Sequence, residues 1–129
     1  MSEPQASEPA GRADLRVVVV DDEADVRGLV RFLLQQTDGF EVVGEAANGR
    51  EAIDLAAAER PDVVLLDLRM PVMDGAEAIP RIREQSPDTR IVVFTADPAA
   101  EVEGVDAQVI KGASMAEVLS SLAEAPSRP

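Results

Sequence analysis

Acidic side chains end two aliphatic runs of the sequence, and they are the residues best placed to do chemistry. Asp67 follows the run at residues 63–66, and the pair Asp21 and Asp22 follows the run at residues 17–20. Each run is typical of a strand that is buried on both faces. Because ligands of open parallel α/β sheets bind at the carboxyl ends of the strands, we expect chemistry where these two strand ends meet.

The acids suggest a metal-assisted site for an anionic group. Three converging carboxylates repel one another unless a cation neutralises them or one of them keeps a proton. The chain has no histidine and no cysteine, so a hard ion such as Mg²⁺, bound by oxygen atoms, suits these residues. At later strand ends, Lys111 offers a point cation for phosphate and Thr95 a hydroxyl donor. The pattern predicts acids, a metal ion, a hydroxyl and an amine around a phosphoryl group.

Each of these residues also has an ordinary structural interpretation. The acids after the first strand could match a helix dipole, Asp67 could cap a loop, Thr95 could bond the backbone, and Lys111 could be a solvated surface amine. A functional site is favoured because all of them fall at the same place in successive strand–loop units. Asp74 and Asp97 lie at the same edge but are better explained as turn formers.

Composition restricts the classes of function. The 129 residues allow one domain, and the net charge of −13 disfavours binding to nucleic acid or to anionic membranes. Aromatic residues make up 2% of the chain, too few for stacking platforms. No apolar run has the length of a signal peptide or a membrane span. We therefore expect a soluble, cytoplasmic protein whose partners are cations and basic protein surfaces.

Strand and helix patterns alternate along the chain, which predicts an α/β fold with one parallel sheet. A disordered leader is expected at residues 1–14, one domain at 15–124 and a frayed tail at 125–129. Pro80 predicts a bend or an irregular first turn in the third helix. The predicted strands are 17–20, 40–46, 63–66, 90–94 and 108–110, and the predicted helices are 23–36, 49–59, 76–85 and 114–123.

The ordered motifs resemble the receiver domain of bacterial two-component response regulators over residues 15–123. The residues that carry the resemblance are Asp21-Asp22, Asp67 with Met70-Pro71 and Asp74-Gly75, Thr95-Ala96, and Lys111. The resemblance implies a flavodoxin-like, doubly wound, five-stranded parallel sheet in the order 2-1-3-4-5.

The resemblance also implies roles for individual residues. Asp67 would accept a phosphoryl group from a sensor histidine kinase or a histidine phosphotransfer protein. Asp22 and Asp67 would bind Mg²⁺ directly, together with the backbone carbonyl of Arg69, and Asp21 would bind it through water. The phosphoryl oxygens would be held by Thr95 and Lys111. Such a domain catalyses only its own phosphorylation and dephosphorylation, and is not otherwise an enzyme.

Two other functions remain open. The first is a receiver-like interaction module that binds a partner without phosphorylation. The second is a haloacid-dehalogenase-type phosphatase, which is disfavoured because Arg69 stands where that family has a second aspartate. Only a few polar residues follow Ala123, so no DNA-binding segment is expected and the domain is expected to act alone.

The sequence departs from the family pattern between Thr95 and Lys111. Gln108 stands three residues before Lys111, where the family usually has tyrosine or phenylalanine, and Gly112 follows where proline is common. Lys111 comes only 16 positions after Thr95, which is about six residues, or a turn and a half of helix, shorter than usual. We therefore expect a shortened or irregular fourth helix at residues 98–104.

Overall fold

The computed structural model describes residues 14–124, and within this range strands and helices alternate as predicted except between the fourth and fifth strands. The predicted leader and tail lie outside the described residues, apart from Asp14. The elements in chain order are β1 Leu15–Val20, α1 Ala24–Gln35, β2 Phe40–Ala46, α2 Gly49–Glu59, β3 Val63–Asp67, α3 Gly75–Gln85, β4 Arg90–Thr95, β5 Ala107–Ile110 and α4 Met115–Ala123.

The five strands form one parallel sheet in the order β2-β1-β3-β4-β5, so the predicted flavodoxin-like fold is confirmed. Val20 pairs with Leu66, and Asp67 pairs with Phe94. Thr95 pairs with Ile110 on the far side of β4. This register ends β1, β3, β4 and β5 at one edge of the sheet.

Each face of the sheet has its own hydrophobic core, which explains the unbroken aliphatic runs. In β1 and β3 the even-numbered residues pack toward α2 and α3, and the odd-numbered residues pack toward α1 and α4. Every residue of β3 is buried. Because side chains alternate between the faces of a strand, a strand covered on both sides must be apolar throughout.

The crossover from β4 to β5, residues 96–106, contains turns and no helix, so the expectation of a shortened or irregular fourth helix at residues 98–104 is corrected to an irregular connection. A crossover between parallel strands usually needs about a dozen residues or more when it contains a helix. Here the Asp97 carboxylate accepts the N–H of Ala99 over 2.9 Å, which favours a turn at the start of the segment. Val102 and Val105 pack against the core on the α3 side without a helix.

Local capping explains where α3 begins. Asp74 accepts the N–H of Glu77 over 2.9 Å, and the Glu77 carboxylate accepts the N–H of Asp74 over 3.3 Å. This reciprocal pair satisfies donors at the helix start that would otherwise lack partners. Asp74 is therefore a structural residue, and α3 runs to Gln85 with Pro80 inside it.

In the described part of the chain, no helix is long and apolar enough to cross a membrane.

Candidate functional site

The loop after β3 folds tightly over the end of that strand. The N–H of Gly75 donates to the carbonyl of Leu68 over 2.8 Å, and the N–H of Gly49 donates to the carbonyl of Met73 over 2.8 Å. A Cβ atom at Gly75 would overlap the backbone carbonyl of Asp67, so only glycine fits there. The loop thereby fixes the backbone on which the Asp67 side chain stands.

The same loop contains one strained residue. Val72 has a φ of 71°, a region that β-branched residues rarely adopt. The N–H of Met73 donates to the carbonyl of Pro71 over 2.8 Å, which closes a three-residue turn around Val72. Val72 is 82% exposed, so burial does not compensate for its backbone conformation.

The three acids predicted from the sequence do come together. Carboxylate oxygens of Asp21, Asp22 and Asp67 lie within 4.8 Å of one another. Asp21 and Asp67 are buried, whereas Asp22 is exposed. Asp21 Oδ1 accepts the N–H of Glu23 over 2.9 Å, and Asp67 Oδ1 accepts the N–H of Arg69 over 3.4 Å.

Lys111 places its ammonium group against the acids. Its Nζ lies 3.0 Å from Asp21 Oδ2, 3.4 Å from Asp67 Oδ2 and 3.6 Å from Glu23 Oε1. The N–H of Lys111 donates to the carbonyl of Thr95 over 2.7 Å, which anchors the backbone of the lysine at the end of β4. This one cation therefore offsets part of the negative charge of the cluster.

Ionisation of the two central groups is shifted by this environment. Burial and, secondarily, the charge of Asp21 raise the pKa of Asp67 to about 6, although Lys111 acts in the opposite direction. Burial disfavours the charged form of Lys111, but its interactions with Asp21 and Asp67 raise the lysine pKa overall. The structure thus favours a proton on Asp67 more than on an ordinary aspartate.

A cavity of about 570 Å³ opens beside these groups. The sequence-predicted residues Thr95 and Arg69 reach it, with the Arg69 side chain largely exposed. Asp97 forms the turn that the sequence predicts and also lines the cavity. The residues that line it are Asp22, Glu23, Asp67, Arg69, Thr95, Ala96, Asp97 and Lys111.

Sequence reasoning missed Glu23 as a member of the site. Its carboxylate lines the cavity and contacts Lys111. The available signal was its position directly after the acidic pair, but an acid at a helix start is common for reasons of dipole alone.

The donor set fits a hard divalent cation. The cluster offers carboxylate oxygens alone, which are the ligands that Mg²⁺ and Ca²⁺ prefer. Asp21 Oδ2 is buried and receives no well-aligned hydrogen bond within the described residues; its close neighbour is the Lys111 ammonium. A buried carboxylate oxygen with spare acceptor capacity is suited to face an ion or its water shell.

Known proteins share this fold and sequence pattern. The family model for the response regulator receiver domain matches residues 17–121. The chain is 36% identical over 115 residues to the nitrate/nitrite response regulator protein NarL of Escherichia coli strain K12, an alignment that covers 84% of this chain and 53% of that protein. The chain belongs to the receiver domains of two-component response regulators.

Solved receiver structures are also similar. The signal receiver domain of NarL from Mycobacterium tuberculosis matches with a TM-score of 0.78 and 32% identity, over 88% of this chain and 99% of that one. A response regulator from Burkholderia pseudomallei, solved with a phosphorylated aspartic acid and a calcium ion, matches with a TM-score of 0.75 and 28% identity, over 86% and 68% of the two chains. The chain spans about half or less of the length of the curated relatives it matches.

Proposed function

We propose that this protein is a phosphoacceptor in two-component or phosphorelay signalling and that Asp67 is the residue that accepts the phosphoryl group. The observation that carries the proposal is the position of the Asp67 carboxylate, which faces a cavity beside two other acids and the ammonium of Lys111. Ala96, which also lines the cavity, has a small side chain that leaves the aspartate accessible.

The transfer uses Asp67 as the nucleophile. A carboxylate oxygen of Asp67 attacks the phosphorus of a phosphohistidine on a sensor histidine kinase or a histidine phosphotransfer protein. The new O–P bond forms as the P–N bond breaks, and the histidine nitrogen leaves with the electron pair. The Lys111 ammonium and the Thr95 hydroxyl donate to the oxygens of the transferred group, where negative charge is concentrated.

A divalent cation completes the proposed site. Asp22, Asp67 and the backbone carbonyl of Arg69 would hold Mg²⁺ directly, and Asp21 would hold it through water. When bound, the ion supplies positive charge that offsets the phosphoryl oxygens and the carboxylates. Its partners in this chain are the acids whose oxygens already converge.

Phosphorylation is proposed to change the protein-binding surface of the domain, and so to regulate a downstream protein. We propose that this domain binds neither nucleic acid nor membranes directly, in keeping with its net charge of −13. We propose that the protein acts in the cytoplasm, where it would meet its kinase partner.

Acetyl phosphate tests the proposal without a kinase. Incubation with Mg²⁺ is expected to add the mass of one phosphate to the wild type, and Asp67→Ala is expected to show no gain. Asp54→Asn, which changes an exposed acid of α2 outside the site, serves as the control and keeps the gain. A wild type that gains no mass, or an Asp67→Ala variant that gains as much, would instead favour an interaction module that works without phosphorylation.

A further inference from the structure

Glu23 has a side chain that the helix it begins does not use. The residue occupies the N-cap position of α1, with φ −86° and ψ 108°, but its side chain makes no capping hydrogen bond. At many helix starts the N-cap side chain accepts a backbone N–H. Here the carboxylate instead lies 3.6 Å from Lys111 Nζ and lines the cavity.

Lys111 is shared among three carboxylates that differ in exposure. The side chains of Asp21 and Asp67 are 2% and 7% exposed, whereas that of Glu23 is 63% exposed. Ion pairs with an exposed partner are weak because water screens them and the side chain loses freedom in forming them. Of the three contacts, the one with Glu23 is therefore the easiest to exchange for another anion.

A phosphoryl group on Asp67 would bring such an anion. It carries close to two negative charges at neutral pH and strong acceptor oxygens. The Lys111 ammonium has three N–H donors, and reorienting it toward the phosphoryl group weakens its contact with Glu23.

We infer that Glu23 is a positioning residue that holds Lys111 in the resting site and competes with the phosphoryl group for its ammonium. This inference rests on the proposed function. Glu23 thereby slows the phosphorylation of Asp67 at a given donor concentration. Removing its charge while keeping its shape should raise that rate.

The test compares Glu23→Gln with Asp25→Asn in the whole 129-residue chain. Asp25 is an exposed acid in the first turn of the same helix. Asp25→Asn therefore removes one negative charge near the start of α1, as Glu23→Gln does, and weakens the favourable interaction with the helix dipole in the same way. With saturating Mg²⁺ and acetyl phosphate, Glu23→Gln is expected to phosphorylate about two- to five-fold faster than the wild type, the range that one exposed ion pair supports. Asp25→Asn is expected to stay close to the wild type.

A double-mutant cycle shows whether the effect passes through the lysine. In a Lys111→Gln background, Glu23→Gln is expected to have no further effect, because the ammonium for which Glu23 competes is gone. An equal acceleration in both backgrounds would mean that Glu23 acts only by general repulsion, and that result overturns the inference. A merely structural role of Glu23 in α1 would give no such coupling to Lys111.

The remaining outcomes separate this inference from the proposed function. If the wild type acquires a phosphate on Asp67 but Glu23→Gln behaves like Asp25→Asn, only the role of Glu23 is overturned. If Glu23→Gln slows phosphorylation and also requires a higher Mg²⁺ concentration for half of its maximal rate, Glu23 contributes to cation binding and the inference is again wrong. If the wild type acquires no phosphate, both the inference and the proposed function fail.

Discussion

The side-chain amide of Gln108 donates a hydrogen bond to the backbone carbonyl of Ala100 over 3.0 Å, which ties β5 to the crossover that precedes it. At the other end of the crossover, Arg83 donates to the carbonyl of Gly104 over 2.9 Å and pairs with Asp106 over 2.7 Å. The half of the crossover nearer to the site contacts it through the N–H of Asp97, which donates to Thr95 Oγ1 over 3.1 Å. A glutamine that is hydrogen-bonded to the crossover therefore occupies the position in β5 where the family usually has an aromatic residue.

This arrangement predicts which residues change conformation when Asp67 carries a phosphoryl group. If Thr95 turns toward the phosphoryl group, the Asp97 N–H loses its acceptor, so residues 96–104 should respond more than β5. Beryllofluoride with Mg²⁺ mimics the acyl phosphate, and amide chemical shifts are the measurement. Asp67→Asn, which lacks the carboxylate that is proposed to bind the phosphoryl group, is the control and should show little change. Shifts at residues 108–110 and in α4 as large as those at 96–104 would show this prediction wrong.

Binding of Mg²⁺ should stabilise the folded protein. An ion that binds only the folded state adds about 2.7 kcal/mol to the free energy of unfolding at a hundred times its dissociation constant. Thermal melts with and without Mg²⁺ measure this gain. Asp67→Asn removes one of the three clustered charges and should reduce it, whereas Asp54→Asn should not. No shift in melting at millimolar Mg²⁺ would mean that the acidic cluster is not a metal site.

Without a divalent ion, the stability of the protein should depend on the protonation of Asp67. Because the folded state raises the pKa of this carboxyl from 3.8 to about 6, its contribution to stability is full below about pH 3.8 and is lost as the pH rises through about 6. In EDTA, the wild type should therefore gain about 1.4 kcal/mol relative to Asp67→Asn between pH 7.5 and pH 5, since the rest of the gain comes only below pH 5. Urea unfolding of both proteins at the two pH values measures the difference. A constant difference would argue against the raised pKa.

Relief of the strained turn at Val72 should stabilise the protein. Asparagine tolerates a positive φ far better than valine, so Val72→Asn is expected to raise the free energy of unfolding by about 0.5–1.5 kcal/mol. Little burial is lost, since the valine is 82% exposed. Val72→Ala keeps a Cβ atom in the same backbone conformation and should change stability much less. Chemical denaturation measures all three proteins, and equal stability of the wild type and Val72→Asn would contradict the prediction.

The sheet and most of the site could be predicted because they follow from local patterns. The aliphatic runs at residues 17–20 and 63–66 end directly before Asp21 and Asp67, and a parallel sheet must bring such ends together. The crossover could not be predicted in the same way. Its length indicated a short connection, but only the structure shows that Arg83 and Gln108 hold the segment in place of a helix.

The role of Glu23 depended on a contact that is distant in sequence. An acid directly after Asp22 is equally compatible with a helix cap, a dipole effect or solvent exposure. Its side chain turns toward Lys111, which belongs to the end of β5. Local patterns describe which residues reach an edge of the sheet, but they do not describe which charges pair there.

The close approach of Gly75 to Asp67 also bears on how saturation mutagenesis of this protein would be interpreted. If variants were scored by signalling output alone, position 75 should tolerate as few replacements as position 67, because any Cβ would displace the backbone of Asp67, the proposed acceptor. Gly75 has no group that takes part in chemistry, so the two positions would be indistinguishable in such a map. A parallel score for protein abundance should separate them, since Asp67→Asn is expected to accumulate normally while Gly75→Ala is depleted.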